Sequence, residues 1–244
     1  MMERVERRMR KRWVLAALLA VVLLLGNLDD PAIPAEAGAE IPAETQYVAL
    51  TFDDGPHPGT TDLLLDGLRE RGARATFFLV GKEIAGREEL VRRMAAEGHQ
   101  VGNHTWSHVR LSGKMTAETT GEIRKTEELL EEILGEGTYW LRPPYGLVDK
   151  RMEEAIGVPM VKWSVDPRDW ESRNTEKVVS AILAAVQPNS IILLHDIYPT
   201  SVEAALQVVD ALQQEGYRFV TVEELLERNG VTPEPGVLYC TGDG

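Results

Sequence analysis

The residues best suited to chemistry are two adjacent carboxylates, Asp53 and Asp54, which follow the apolar run Tyr47 to Phe52. Adjacent carboxylates repel each other unless a cation lies between them or one of them is protonated. Gly55-Pro56 follows directly and predicts a sharp turn that leaves both side chains near the end of a strand. Taken alone, the segment also fits a helix cap or an Asp turn before Thr60.

A second group is the histidine pair His104 and His108, which follows the short run Gln100 to Gly102. The i, i+4 spacing predicts that one helical turn aligns the two imidazoles toward one ion. A carboxylate from a neighbouring strand end completes a His, His, Asp set with open positions for water. This set suits zinc, and it also suits iron(II). The pair alone fits ordinary core or surface histidines equally well.

Two proline-containing segments follow later strands and are predicted to be loops. In the first, Arg142 can orient a carboxylate through paired hydrogen bonds, and the rigid loop through Tyr145 can present a backbone N–H to a developing oxyanion. The second carries Asp169 and Trp170. A surface ion pair is the alternative for Arg142, and core packing is the alternative for Trp170.

The apolar run Ile191 to Leu194 ends in the titratable pair His195-Asp196. A carboxylate partner would set the tautomer and charge of His195 and allow it to act as a general acid. A solvent-exposed strand cap is the competing interpretation. The chain's one cysteine, Cys240, cannot form an intramolecular disulfide and lacks an adjacent histidine.

The elements that must position these groups alternate between strand and helix from Gln46 onward. The strand predictions are Tyr47 to Phe52, Ala75 to Val80, Gln100 to Gly102, Tyr139 to Arg142, Met160 to Trp163, Ile191 to Leu194 and Arg218 to Val220. The helix predictions are Thr61 to Arg71, Glu88 to Glu97, Thr116 to Leu134, Lys150 to Ala155, Glu176 to Val186, Ser201 to Glu215 and Val222 to Glu227.

This alternation predicts an α/β fold with a parallel sheet and crossover helices. Periodicity does not distinguish a closed barrel from an open, doubly wound sheet. Both architectures bind ligands at the carboxyl ends of their strands. The polar groups that end the apolar runs are therefore expected to meet at one edge of the sheet.

The amino terminus has a different composition. A basic stretch, Arg4 to Arg12, runs into the apolar segment Trp13 to Gly26, which is shorter than the roughly 20 residues that span a bilayer comfortably. Residues 1–37 are interpreted as a cleaved signal peptide or an N-terminal membrane anchor, which places the remainder outside the cytoplasmic membrane with the basic end inside. Residues 38–45 are a linker, 46–230 the folded domain and 231–244 a C-terminal tail.

The formal net charge is −13, with 26 Lys and Arg against 39 Asp and Glu. The sequence therefore lacks the basic surface that nucleic-acid binding requires. Contact with a membrane is expected only through the N-terminal segment.

The ordered motifs TFDDGP, NHTWSH, RPPYG, DPRDW and LLHD resemble those of the polysaccharide deacetylases, also called the NodB-homology domain or carbohydrate esterase family 4. The resemblance extends from about Gln46 to Arg228. It implies a distorted (β/α) barrel of about seven parallel strands with outer helices.

The resemblance also implies a role for each motif residue. Asp53 would be the general base and His195 the general acid, with Arg142 orienting the first and Asp169 the second. Asp54, His104 and His108 would bind a divalent metal, commonly zinc and in some members cobalt. The backbone N–H of Tyr145 would stabilise an oxyanion, and the acetyl methyl would contact Trp170 and Leu193.

The expected activity is metal-dependent removal of N-acetyl groups from an amino-sugar polymer with release of acetate. Peptidoglycan N-acetylglucosamine ranks first as substrate and chitin-like oligosaccharides second, with O-acetylated xylan or N-acetylmuramic acid units below them. Two other classes remain as alternatives, a noncatalytic wall-binding protein and an iron(II) oxygenase. The first would need neither Asp53 nor His195, and the second would bind a 2-oxoacid.

Overall fold

The computed structural model describes residues 45–111 and 116–244. Its strands are β1 (Gln46–Asp53), β2 (Ala75–Leu79), β3 (Gln100–Asn103), β4 (Met160–Val161), β5 (Ile191–His195), β6 (Tyr217–Phe219) and β7 (Leu238–Tyr239). Its α-helices are α1 (Thr60–Glu70), α2 (Gly81–Ile84), α3 (Glu88–Ala96), α4 (Ala117–Leu134), α5 (Lys150–Glu153), α6 (Asp169–Ser172), α7 (Thr175–Ala185), α8 (Pro199–Gln214) and α9 (Val222–Arg228). A 3₁₀ turn spans Pro144–Gly146.

The principal sheet has the strand order β3-β2-β1-β5, and β6 pairs with the start of β1. All of these pairings are parallel. β4 and β7 form a separate parallel pair. The alternation of strand and helix therefore produces the α/β architecture that the sequence predicts.

The barrel is closed only in part. Single bridges join Leu141 to Asn103 of β3 and to Met160 of β4, and another joins Val165 to Ile192 of β5. Leu141 therefore lies between β3 and β4, and the segment from Met160 to Val165 runs from that bridge to the β5 edge of the principal sheet without forming a continuous ladder. The fold is a distorted barrel that stays partly open, because isolated bridges rather than full strands link this segment to the sheet.

The predicted strand Tyr139 to Arg142 is wrong, because only Leu141 makes bridges. Pro143 and Pro144 follow and cannot donate to a ladder, and the Arg142 carbonyl accepts a hydrogen bond from the His104 side chain instead. The strand predicted for Met160 to Trp163 is shortened to its first two residues.

The core lies between the sheet and the helices. Phe52 and Phe77 stack at a ring-centroid distance of 5.3 Å, and Leu64, Leu65 and Leu68 of α1 are fully buried. The spacing of three and four along α1 directs these leucines to one helix face. Replacing one of them with alanine would cost about 2–5 kcal/mol of stability.

The segment expected to be a tail, residues 231–244, contributes β7, and the Tyr239 side chain is 4% exposed. Within the described ranges, no helix is long and apolar enough to cross a membrane. The predicted signal peptide or anchor, residues 1–37, and most of the linker lie outside the described residues.

Candidate active site

Strand ends bring the predicted site residues together. β1 ends at Asp53, β3 ends one residue before His104, and β5 ends at His195. Because the strands are parallel, these ends lie at the same edge of the sheet. The register of β1 and β5 places Asp53 directly beside His195.

Asp54, His104 and His108 form a candidate metal centre, with one donor atom of each within 4.8 Å of the others. Oδ1 of Asp54 lies 3.8 Å from Nε2 of His104 and 3.6 Å from Nε2 of His108. One carboxylate and two imidazoles are the donor set of many catalytic divalent-metal sites. The geometry and the donor types therefore fit a divalent cation.

The tautomer of His104 is set by the Arg142 carbonyl, which lies 2.7 Å from Nδ1. A carbonyl only accepts, so Nδ1 carries a proton, and in the neutral ring Nε2 presents its lone pair toward Asp54. This is the usual way in which proteins orient a metal-binding histidine. Burial and the neighbouring His104 lower the pKa of His108, which favours the neutral form that binds metal.

A loop, rather than the predicted helical turn, aligns the two histidines. Thr105 and His108 have positive φ values of 64° and 61°, so no helix forms between residues 104 and 108. The side chain of Asn103 accepts from the Thr105 N–H at 2.8 Å. Backbone N–H groups of Gly81 and Lys82 donate to the Thr105 and Trp106 carbonyls at 3.0 Å each. These bonds hold a strained backbone in place.

Asp53 is held by Arg142, which is fully buried rather than part of a surface ion pair. Nη1 of Arg142 donates to Oδ1 of Asp53 at 2.8 Å and to the Thr51 hydroxyl at 2.6 Å, and Nη2 donates to the Lys162 carbonyl at 2.7 Å. Burial alone would raise the pKa of Asp53, but Arg142, His104 and His195 together hold it below its ordinary value. Asp53 is therefore an ionised carboxylate at neutral pH.

His195 is held by Asp169, whose Oδ1 lies 2.9 Å from Nδ1 of the imidazole. The other oxygen of Asp169 accepts from the His195 backbone N–H at 2.8 Å and from the Ser201 hydroxyl at 2.6 Å. Burial would lower the pKa of His195, yet Asp169 and the more distant Asp53 and Asp54 raise it to about 9. His195 is therefore protonated at neutral pH in the metal-free protein.

A cleft of about 450 Å³ opens over these groups. Trp170 is 43% exposed there, so core packing does not account for it. The cleft is lined by the candidate residues Asp53, Asp54, His104, His108, Tyr145, Trp170, Leu193 and His195, together with Trp163, Asp166 and Tyr198.

The sequence motifs suggest no role for Trp163, Asp166 and Tyr198, or for the supporting hydroxyls of Thr51 and Ser201. Asp166 lies inside the DPRDW motif, so its position is a usable signal. A threonine inside an apolar strand was a weaker signal for Thr51. Nothing in the sequence distinguishes Ser201 or Tyr198 from ordinary helix-start residues.

Asp196 follows His195 and is fully buried behind the cleft. Its carboxylate accepts a hydrogen bond from the Thr61 hydroxyl. Burial raises the pKa of Asp196 to about 7, against the opposing effect of Thr61.

Comparison with known proteins identifies relatives of this chain. Residues 40–159 match the family described as polysaccharide deacetylase. The peptidoglycan-N-acetylglucosamine deacetylase PgdA of Listeria monocytogenes is 40% identical over 178 residues, which are 73% of this chain and 38% of that protein. A chitooligosaccharide deacetylase of Bradyrhizobium sp. is 37% identical over 199 residues, covering 74% of this chain and 91% of that protein.

A solved structure has the same fold. It is a family 4 acetyl xylan esterase from Clostridium thermocellum in complex with a cobalt ion, with a TM-score of 0.75 and 31% identity over 80% of this chain and 98% of that one. This chain spans less than half the length of the Listeria relative and nearly all of the Bradyrhizobium relative. The chain belongs to the polysaccharide deacetylase family.

Proposed function

We propose that this protein hydrolyses N-acetyl groups from an amino-sugar polymer in a metal-dependent reaction that releases acetate. One observation carries the proposal. Asp53, bonded to Arg142, and His195, bonded to Asp169, both face the cleft beside the candidate metal centre, and these partners lower the pKa of the carboxyl and raise the pKa of the imidazole. Amide hydrolysis needs a base and an acid of opposite protonation state at the same pH.

Asp53 is the general base in this proposal, and it accepts a proton from the attacking water. Arg142 holds Asp53 through the 2.8 Å hydrogen bond and keeps its pKa low, so the carboxylate is available as a base near neutral pH. His195 is the general acid and donates a proton to the departing sugar amine. Asp169 fixes its imidazole and maintains its charge.

Asp54, His104 and His108 are the proposed metal ligands, and zinc is the proposed ion, with cobalt as a functional substitute. When bound, the ion supplies polarisation of the amide carbonyl and a lowered pKa of water. The backbone N–H of Tyr145 is the proposed donor to the oxyanion. Trp170 and Leu193, which line the cleft, would contact the acetyl methyl.

Peptidoglycan N-acetylglucosamine is the proposed first substrate. The Listeria relative is a peptidoglycan-N-acetylglucosamine deacetylase, which supports this choice, and the Bradyrhizobium relative supports chitooligosaccharides as the second. The similarity to an acetyl xylan esterase supports O-acetylated xylan as the third candidate substrate. The proposed location is outside the cytoplasmic membrane, by secretion or through residues 1–37 as an anchor.

The test is acetate release by the full chain from purified peptidoglycan, N-acetylglucosamine oligomers and acetylated xylan. Each reaction is run untreated, after chelation and after zinc is added back. We expect release from peptidoglycan that chelation abolishes and zinc restores. Stoichiometric metal binding without release from any of the three polymers would overturn the proposal and favour a noncatalytic wall-binding protein.

A further inference from the structure

Asp196 is a buried carboxylate that has no role in the proposed reaction. It lies directly after His195 at the end of β5, and its side chain is fully buried. One carboxylate oxygen, Oδ1, has no hydrogen-bond partner among the described residues. Burying a carboxylate with one oxygen unpaired is costly, so its place in the structure calls for an explanation.

The other oxygen is part of a chain of hydrogen bonds that leads to the first metal-binding loop. The His57 backbone N–H donates to the Thr61 hydroxyl at 2.8 Å. The Thr61 hydroxyl donates in turn to Oδ2 of Asp196. The loop that leaves Asp54 is thereby tied to the residue that follows His195.

Gly55 provides a second contact between the same two parts. A Cβ atom built on Gly55 would lie 2.6 Å from each carboxylate oxygen of Asp196, which is closer than carbon and oxygen approach without a bond. Only glycine allows the backbone to rest against this carboxylate. Gly55 follows Asp54 directly, so the carboxylate sets how closely the backbone beside Asp54 can approach the end of β5.

We propose that Asp196 is a positioning residue that sets the Asp54 ligand relative to His195 by holding Gly55 and, through Thr61, His57. The proposal rests on the proposed function for the roles of Asp54 and His195. Its contacts are independent of that function. Asp196 links the metal-binding loop to β5, the strand that carries His195, through a side chain. β1 and β5 are otherwise linked by backbone pairing.

The test compares Thr61→Val with Thr61→Ser in the full chain. Zinc affinity is measured by competition with a chromophoric chelator, and kcat and KM are measured by acetate release. Loss of support behind a metal ligand typically costs about 10- to 100-fold in metal affinity or activity. We expect Thr61→Val to lose affinity and kcat in this range with KM little changed, and Thr61→Ser to recover both.

Asp196 itself is tested by Asp196→Ala and Asp196→Asn. Asparagine keeps the side-chain shape and an oxygen that accepts from Thr61, so it should lose less zinc affinity than alanine. If the alanine variant does not fold, the Thr61 pair decides the outcome. Zinc binding is measured without substrate, so the result does not depend on the proposed reaction.

Thr76→Val is the matched control. The Thr76 hydroxyl is equally buried, but it bonds to Gln100 and to the Val222 N–H near the start of β2. Thr76→Val should therefore lower the unfolding temperature and leave zinc affinity and kcat unchanged. If Thr61→Val kept the zinc affinity and kcat of the wild-type protein, the positioning role would be wrong. It would also be wrong if Thr76→Val lost as much zinc affinity and kcat as Thr61→Val. In either case the deacetylase proposal would stand if the wild-type protein releases acetate.

Discussion

His99 and His195 lie at opposite ends of the strands, and their pKa values are shifted in opposite directions. His99 lies just before β3, where its Nδ1 accepts from the Ala75 N–H at 3.1 Å and its ring packs edge-on against Phe77. Burial lowers the pKa of His99 to about 4. Asp169 overcomes the same effect at His195 and raises its pKa to about 9.

The difference lies in the partner of each ring, because both side chains are largely withdrawn from water. A backbone N–H stabilises a neutral imidazole as an acceptor, whereas a carboxylate stabilises the imidazolium. The amino ends of the strands thus hold a structural histidine. The carboxyl ends hold charged groups in pairs, Asp53 with Arg142 and Asp169 with His195, around a cleft.

The largest expected effect comes from removing the base at the carboxyl ends. Asp53→Asn should lower kcat by up to about 10⁴-fold, because the amide cannot accept the proton from water. It also leaves the buried Arg142 without its counter-ion, which should lower the free energy of unfolding. Acetate release, zinc binding and circular dichroism are measured together. Near-normal turnover in a folded, zinc-binding variant would contradict the role of Asp53.

The second prediction compares the two histidines directly. His195→Gln should lower kcat by about 10²–10³-fold, because the leaving amine loses its proton donor. His99→Gln should leave kcat unchanged and alter only the unfolding temperature. Equal losses of kcat in the two variants would mean that the charge difference between the rings has no catalytic consequence.

The third prediction concerns Arg142→Lys, which keeps the positive charge but not the fork of donors that joins Asp53, Thr51 and the Lys162 carbonyl. Loss of charged hydrogen bonds worth about 1.5–3 kcal/mol corresponds to a loss of about 10- to 150-fold in kcat. Steady-state kinetics measures the loss. Full activity in the lysine variant would show that charge alone positions the base.

The fourth and smallest effect is a shift in pH dependence. His195 acts as an acid only while protonated, so turnover should fall as the pH rises through its pKa. Asp169 raises that pKa, and Asp169→Asn should therefore move the alkaline limb of the kcat profile to lower pH. An unchanged alkaline limb in the asparagine variant would assign that limb to another group.

The sequence predicts which residues meet at the strand ends better than it predicts the backbone that holds them. Asp53, His104 and His195 each follow a predicted strand, so the sequence places them at one edge of the sheet, because the carboxyl ends of parallel strands lie at the same edge. The helix spacing of His104 and His108 is misleading, because the loop has positive φ values at Thr105 and His108 and is held by hydrogen bonds from α2 to the carbonyls of Thr105 and Trp106. Such long-range hydrogen bonds leave no local periodicity to detect.

The supporting contacts were also beyond sequence reasoning. Ser201 bonds to Asp169 across 32 positions and Thr61 bonds to Asp196 across 135. Serine and threonine at helix starts usually serve as caps, so their types alone do not suggest a role behind an active site. β7 was missed for a related reason, since two residues are too few to show a strand pattern.

The opposite charge states of His99 and His195 are measured most directly by NMR titration of the imidazole nitrogens in the metal-free full chain, alongside Asp169→Asn. His99 should remain neutral down to about pH 4, and His195 should remain protonated up to about pH 9. The His195 transition should move to lower pH in the variant. Titration of both rings near the ordinary histidine pKa of about 6.5 would contradict the claim that Asp169 makes His195 the acid.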